Sequence, residues 1–333
     1  MDFSSKIFVA GHTGLVGSAL VRRLRASGYL NLLLKPHDEL DLKDQVAVEE
    51  FFSQTRPEYV FLAAARVGGI FANYSRPADF IYENLRIEIN VIHEAYRNSV
   101  KRLLFLGSSC IYPRMAPQPM KEEALLTGAL EPTNRPYAVA KIAGIEMCSA
   151  YNRQYRTQFL AAMPTNLYGP QDNYDPDSSH LVPALIRRMH EAKVANAPSV
   201  TVWGTGTPRR ELLYSDDAAD ASIFLMTLPQ AKVDQILESR ETSPLVNIGS
   251  GIDLTVAEIA ELIADVVQYR GILEYDPTKL DGTPQKLVDT TRLTSLGWRV
   301  RTDLRAGLVH AYNDFCSRRS DTPREVALSS RER

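Results

Sequence analysis

Cysteine is scarce in this chain. Only Cys110, Cys148 and Cys316 occur among 333 residues. Three cysteines make no disulfide framework, and there is neither a CxxC pair nor an HExxH run to suggest a metal site. Long apolar runs are also missing. None approaches the ~18 residues of a membrane-spanning helix. The first residues, Met1 to Lys6, lack the charged-then-apolar layout of a signal peptide, so the cytoplasm is the expected address. Charge of one sign is lacking too. Lys and Arg number 38 against 40 Asp and Glu, leaving a net charge of -2 and no global basic excess for nucleic acid. There is no internal repeat.

What is present is globular. A hydrophobic content of 44% with 23% charged residues argues against a mostly disordered chain. Residues 6–10 read as a short buried strand closed by Gly11, and 16–27 as a helix ended by Gly28. Strands over 30–35, 59–65, 102–106 and 158–163 alternate with helices over 45–53, 79–99 and 133–155. Alternation of this kind specifies an α/β fold with a doubly wound parallel sheet of the Rossmann type. After Gly169 the rhythm breaks into a smaller α+β substrate lobe. The expected division is a dinucleotide-binding domain over 1–169, with segments near 212–250 returning to it. A substrate lobe then covers 170–211 and 251–316, and a flexible polar tail covers 317–333.

Gly11, His12, Thr13, Gly14, Leu15, Val16 and Gly17 lie between the first strand and the first helix. Glycines there allow a tight turn and close backbone approach to a pyrophosphate resting on the helix N-terminus. The spacing is G-x-x-G-x-x-G. The second strand ends in Lys35-Pro36-His37, without the acidic residue that binds a ribose 2′-hydroxyl. NADP is therefore favoured, with NAD still open. Asp41 and Leu42 are placed to hydrogen-bond and pack against the adenine.

Ser108 follows the fourth strand, where open α/β sheets bind ligands. Tyr137 precedes Lys141 by one helical turn, on one face. This trio has a definite chemical reading. The ammonium lowers the tyrosine pKa, the phenol exchanges a proton with a substrate oxygen, and the serine orients that oxygen.

These residues, in this order, resemble the extended short-chain dehydrogenase/reductase superfamily. The closer resemblance is to the GDP-L-fucose synthase family, the epimerase-reductases of GDP-4-keto-6-deoxy-D-mannose. It rests on residues 64–70 (AARVGGI), 107–113 (GSSCIYP), 131–144 (EPTNRPYAVAKIAG), 163–170 (MPTNLYGP), 178–183 (SSHLVP) and 203–211 (WGTGTPRRE), and spans roughly residues 6–315. The resemblance implies 3,5-epimerisation and NADPH-dependent 4-reduction to GDP-L-fucose. Ser108, Tyr137 and Lys141 match the reductase triad. Cys110 and His180 match the epimerisation base and acid, with His180 expected to give its proton near an unperturbed pKa. Ala64, Pro164, Thr165, Asn166, Leu167 and His180 match cofactor positions. Arg188, Trp203, Arg210, Asp281 and Lys286 match positions holding the GDP-sugar. Arginines suit a diphosphate. Trp203 either stacks on guanine or fills the lobe core. Cys148 and Cys316 match no motif and are read as structural.

Two departures weaken the NADP reading. Thr13 and His37 stand where members of the family often carry arginines. Two other functions fit the same motifs: a related GDP-sugar epimerase/reductase making another deoxyhexose or heptose, and a non-catalytic cofactor sensor on the same fold. The long helices over 79–99 and 133–155 are candidates for a homodimer interface, by fold-level analogy.

Overall fold

The computed structural model describes residues 1–320, apart from 177, 239–242 and 280. In chain order the first strands and helices are β1 (Ile7–Ala10), α1 (Leu15–Ala26), β2 (Leu32–Leu33), α2 (Gln45–Thr55), β3 (Tyr59–Leu62), α3 (Ile70–Ser75), α4 (Pro77–Arg97), β4 (Arg102–Leu106), α5 (Arg135–Tyr155) and β5 (Phe159–Pro164). There follow β6 (Asn166–Tyr168), α6 (Leu181–Val194), β7 (Ser199–Trp203), β8 (Arg209–Tyr214), α7 (Ser215–Thr227), α8 (Gln230–Leu237) and β9 (Leu245–Ile248). The last are β10 (Asp253–Thr255), α9 (Val256–Val267), β11 (Ile272–Asp276), β12 (Gln285–Lys286), α10 (Thr291–Leu296) and α11 (Leu304–Ser320).

The main sheet runs β2-β1-β3-β4-β5-β9, and every pairing in it is parallel. It is doubly wound and Rossmann-like. Strands β1, β3, β4 and β5 are almost wholly buried, as apolar runs sandwiched between helix layers must be. One face packs Phe8, Val60, Leu103 and Phe105 against apolar residues of α2, α4 and α5. The other packs Val9, Phe61, Leu104 and Leu160 against α1 and α7. The strand order reverses between β1 and β3, so the crevice for a ligand opens at their carboxyl ends.

Strand β2 keeps two residues of the six expected. Only Ile7 and Phe8 of β1 pair with it, and Pro36 cannot donate to a ladder. The second lobe centres on β8. It pairs in parallel with β6 and β12 and antiparallel with β10, while β11 pairs in parallel with β7. A third core, around Ile186, Met189, Val202, Ile259 and Phe315, holds this lobe. The flexible tail expected from Ser317 does not begin there. Helix α11 continues to Ser320, and Arg319 pairs with Glu191 at 3.0 Å. The remainder of that segment, 321–333, lies outside the described residues. No helix among the described residues is long and apolar enough to cross a membrane.

Candidate active site

A cavity of about 1150 Å³ runs from the carboxyl ends of β1 and β3 to the second lobe. Its first end is the glycine turn. Gly11 takes φ +82°, and a Cβ there would lie 2.7 Å from backbone atoms of Ala64, so the turn crosses directly over the end of β3. Gly17 is required by packing, since a Cβ would fall 1.9 Å from the Gly11 carbonyl oxygen. Gly14 caps α1 with no side chain over the first-turn amides. That is the donor set a pyrophosphate takes. Thr13, Leu15 and Val16 line the same end, as do Lys35, Asp41 and Leu42. His12 lies within the same turn but is not among the residues that line the cavity. Its Nδ1 is buried without a hydrogen-bond partner. Lys35 is engaged by Glu39 at 2.7 Å. Pro164, Thr165, Asn166 and Leu167 form the wall beyond β5.

The middle of the cavity holds the reactive side chains. Ser108 leaves β4 in extended conformation, and the single 3-10 turn after it carries Cys110. Tyr137 sits in the first turn of α5, where Pro136 starts the helix, and Lys141 is one turn on. Ser108 lies near both Tyr137 and Cys110 and favours the ionised form of each. Burial pushes the Tyr137 phenol well above its ordinary value, helped by Cys110 and Glu88 and opposed by Ser108. This corrects the expectation of a phenol lowered by Lys141. The ammonium lies 6.0 Å from the Tyr137 ring centroid and is paired with Glu88 at 3.2 Å. Burial also raises the Cys110 thiol, against Lys286, Ser108 and Lys141, which favour the thiolate.

His180 is the N-cap of α6 and faces the cavity. The residue as a whole is exposed, but desolvation by the surrounding walls, and then nearby Lys286, lower its imidazole from the ordinary value. The expectation of a proton given near the unperturbed value is corrected accordingly.

The far end belongs to the second lobe. The Arg188 guanidinium lies over the Trp203 ring, 4.3 Å from its centroid. Trp203 is 48% exposed, so it is cavity wall rather than lobe core. Arg210 and Lys286 are register partners on β8 and β12 and line the cavity together. Asp281 also lines it, but its carboxylate accepts hydrogen bonds from the Thr205 backbone N–H and hydroxyl, both at 2.8 Å. Its part is to hold the 204–205 turn, while its backbone carbonyl accepts from Arg210 at 2.9 Å.

A chain that brings a glycine turn, a Ser-Tyr-Lys set and a basic far end to one cavity is also similar in sequence and fold to known proteins. Residues 7–248 match the NAD dependent epimerase/dehydratase family. GDP-L-fucose synthase 1 of Arabidopsis thaliana is 57% identical over 94% of this chain and 93% of its own. GDP-L-fucose synthase of Escherichia coli K12 is 54% identical over 93% and 96%. The chain belongs to the GDP-L-fucose synthase branch of the NAD dependent epimerase/dehydratase family. Among solved structures, a GDP-mannoheptose C4 reductase from Campylobacter jejuni with NADP bound superposes with a TM-score of 0.86, at 41% identity, over 95% of this chain and 99% of that one. The chain is an enzyme of this family.

Several residues of this GDP-L-fucose synthase relative escape a reading of the sequence. Lys43 and Arg66 line the cofactor end, where Arg66 pairs with Glu83 and, at 3.3 Å, with Asp79. Glu88 lies behind Lys141. Its signal was legible: Asn84 and Glu88 share a face of α4 with Phe80, Val91, Ile92 and Ala95, a polar pair within an apolar stripe.

Proposed function

We propose that this chain converts GDP-4-keto-6-deoxy-D-mannose to GDP-L-fucose, by epimerisation at C3 and C5 and then reduction at C4. The observation that carries this is that Ser108, Tyr137, Lys141, Cys110 and His180 all line one cavity. A reductase alone needs the first three and has no use for the last two.

Bound NADPH supplies a hydride to C4 of the sugar. Tyr137, kept protonated by burial, gives its proton to the oxygen that becomes the 4-hydroxyl, and Ser108 orients that oxygen. Lys141 supplies the cationic charge beside the phenolate left behind. For epimerisation Cys110 takes the protons made acidic by the C4 ketone. Lys286 and Ser108 support its thiolate. His180 returns protons from the other side. Its lowered pKa makes the protonated ring a readier proton donor.

The choice of NADPH rests on the lack of a carboxylate at the end of β2 and on Lys35 at the cavity wall. Arg188, Arg210 and Lys286 hold the diphosphate, and Trp203 stacks on the guanine. The reading places the chain in the cytoplasm, in keeping with its three free cysteines. It also makes the chain a homodimer through α4 and α5, which expose Tyr82, Ile89, Val139 and Tyr155.

The test is incubation with the keto-sugar nucleotide in D₂O, without and then with NADPH, followed by NMR. The expected product is GDP-L-fucose labelled at C3 and C5. Tyr137→Phe is expected to lose ~10²–10⁴-fold in reduction and keep the exchange. Cys110→Ser is expected to lose exchange and keep NADPH binding. Wild-type exchange in Cys110→Ser would remove that thiol from the chemistry and with it the bifunctional reading.

A further inference from the structure

Lys141 is 2% exposed and Glu88 is 1% exposed, so the site carries a fully buried ion pair. Glu88 Oε1 stands 3.2 Å from Lys141 Nζ, and among the described residues this is the only salt bridge of Glu88. Neither carboxylate oxygen has a hydrogen-bond donor in good geometry. The ammonium also lies 4.6 Å from the centroid of the Phe105 ring, which closes it in from β4. Helix α5 is shaped around the pair. A Cβ at Gly144 would stand 3.0 Å from Glu88 Oε2 and 2.5 Å from the Phe105 ring. The titratable groups that face Glu88 from α5 are Lys141, Tyr137 and Cys148.

Stability does not account for such a pair. Two charges withdrawn from water recover little more than their desolvation cost, and apolar side chains of the same volume often serve as well. Burial pushes the Glu88 carboxyl up to about 7, while Lys141 pulls it down. The pull of Lys141 keeps the carboxyl from lying higher still, so that part of it is ionised at neutral pH. The dependence runs the other way too: a buried ammonium stripped of its counterion is driven toward its neutral form.

We propose that Glu88 is a positioning residue for the reduction step, holding the Lys141 ammonium charged and in place behind Tyr137 without touching the substrate. The proposal rests on the reading of Tyr137 as proton donor. It extends that reading by separating the two chemistries, since Lys141 stands behind Tyr137, while its pull on the Cys110 thiol ranks after those of Lys286 and Ser108.

Two readouts test it. The first needs neither substrate nor cofactor. In protein with ¹⁵N-labelled lysine, the Lys141 Nζ signal is assigned by its loss in Lys141→Arg and followed against pH. In Glu88→Gln its transition is expected about one pH unit or more below the wild-type position. An unmoved transition overturns the proposal, whatever the substrate. The second readout is the ratio of NADPH oxidation to solvent exchange at C3 and C5. Glu88→Gln is expected to lower it ~10-fold at neutral pH and to move the alkaline limb of reduction to lower pH. Glu88→Asp keeps the charge but sets it back by one methylene. It is expected to lower the ratio a few-fold with the limb in place, and it carries the test if Glu88→Gln does not accumulate. Equal loss of both activities, or of neither, overturns the proposal. A wild-type protein inactive on this keto-sugar would instead count against the substrate reading, and the labelled-lysine titration would still decide the role of Glu88.

Discussion

Arg188 lies over the face of Trp203, its guanidinium carbon 4.3 Å from the ring centroid, at the far end of the cavity from the glycine turn. The guanidinium also donates to the Thr201 carbonyl at 3.4 Å, which ties α6 to β7. The two groups are thereby brought together in advance, with Trp203 as a residue still 48% exposed. Trp203→Ala is expected to raise KM for the GDP-sugar ~10–100-fold with kcat nearly unchanged, the scale of one aromatic–base stack. Arg188→Ala is expected to act in the same direction, and the double variant to lose less than the sum. Steady-state kinetics and calorimetry with GDP check this. A fall in kcat at constant KM would place the pair in the chemistry rather than in binding.

The cofactor preference depends on a competition at the end of β2. Lys35 is held by Glu39 at 2.7 Å, and both side chains are about half exposed, so the pair is weak and easily redirected. Lys35→Ala is expected to narrow the preference for NADPH over NADH, and Glu39→Gln to widen it. The measurement is kcat/KM with each cofactor. Equal values for the two cofactors in the unmutated protein would remove the basis of the NADP reading.

Gly14 and Gly17, two of the three glycines of the turn, are expected to respond differently to alanine. Gly17→Ala forces a Cβ to within 1.9 Å of a backbone oxygen that no rotamer change can move. Its cost is expected to exceed the ~1–3 kcal/mol of ordinary overpacking. Gly14→Ala meets only the Gly11 oxygen at 3.6 Å. It is expected to cost no more than ~1 kcal/mol, through the helix cap. Thermal melts of the apoprotein separate the two.

Asp172, buried in the wall of the cavity, sets a pH dependence of stability. Burial pushes its carboxyl up to about 7, against the Asn173 N–H and Arg318. The folded protein thus keeps a proton that the unfolded chain has lost. The stability this contributes is full below about pH 4 and is lost as pH rises through about 7. Asp172→Asn is expected to gain in Tm relative to the parent as pH goes from about 5 to about 8. A constant difference in Tm across that range would rule the effect out.

The residue order alone determined most of the first lobe. Short apolar runs alternating with amphipathic stretches admit little besides a parallel sheet with helices on both faces. The turn over Gly11–Gly17 and the Ser108, Tyr137 and Lys141 set fall where such a sheet binds ligands, because the ends of its strands are a consequence of connectivity. Tertiary structure decided what surrounds each group. The one-turn spacing of Tyr137 and Lys141 shows a shared helix face, but a neighbouring helix contributes Glu88, and only packing reveals that the ammonium is already paired. In the same way Lys286, far along the chain, reaches Cys110 and His180 because β12 pairs with β8. Spacing along a chain reports local geometry. A pKa reports every charge and every wall within a few ångströms, and those come from elements that the sequence holds far apart.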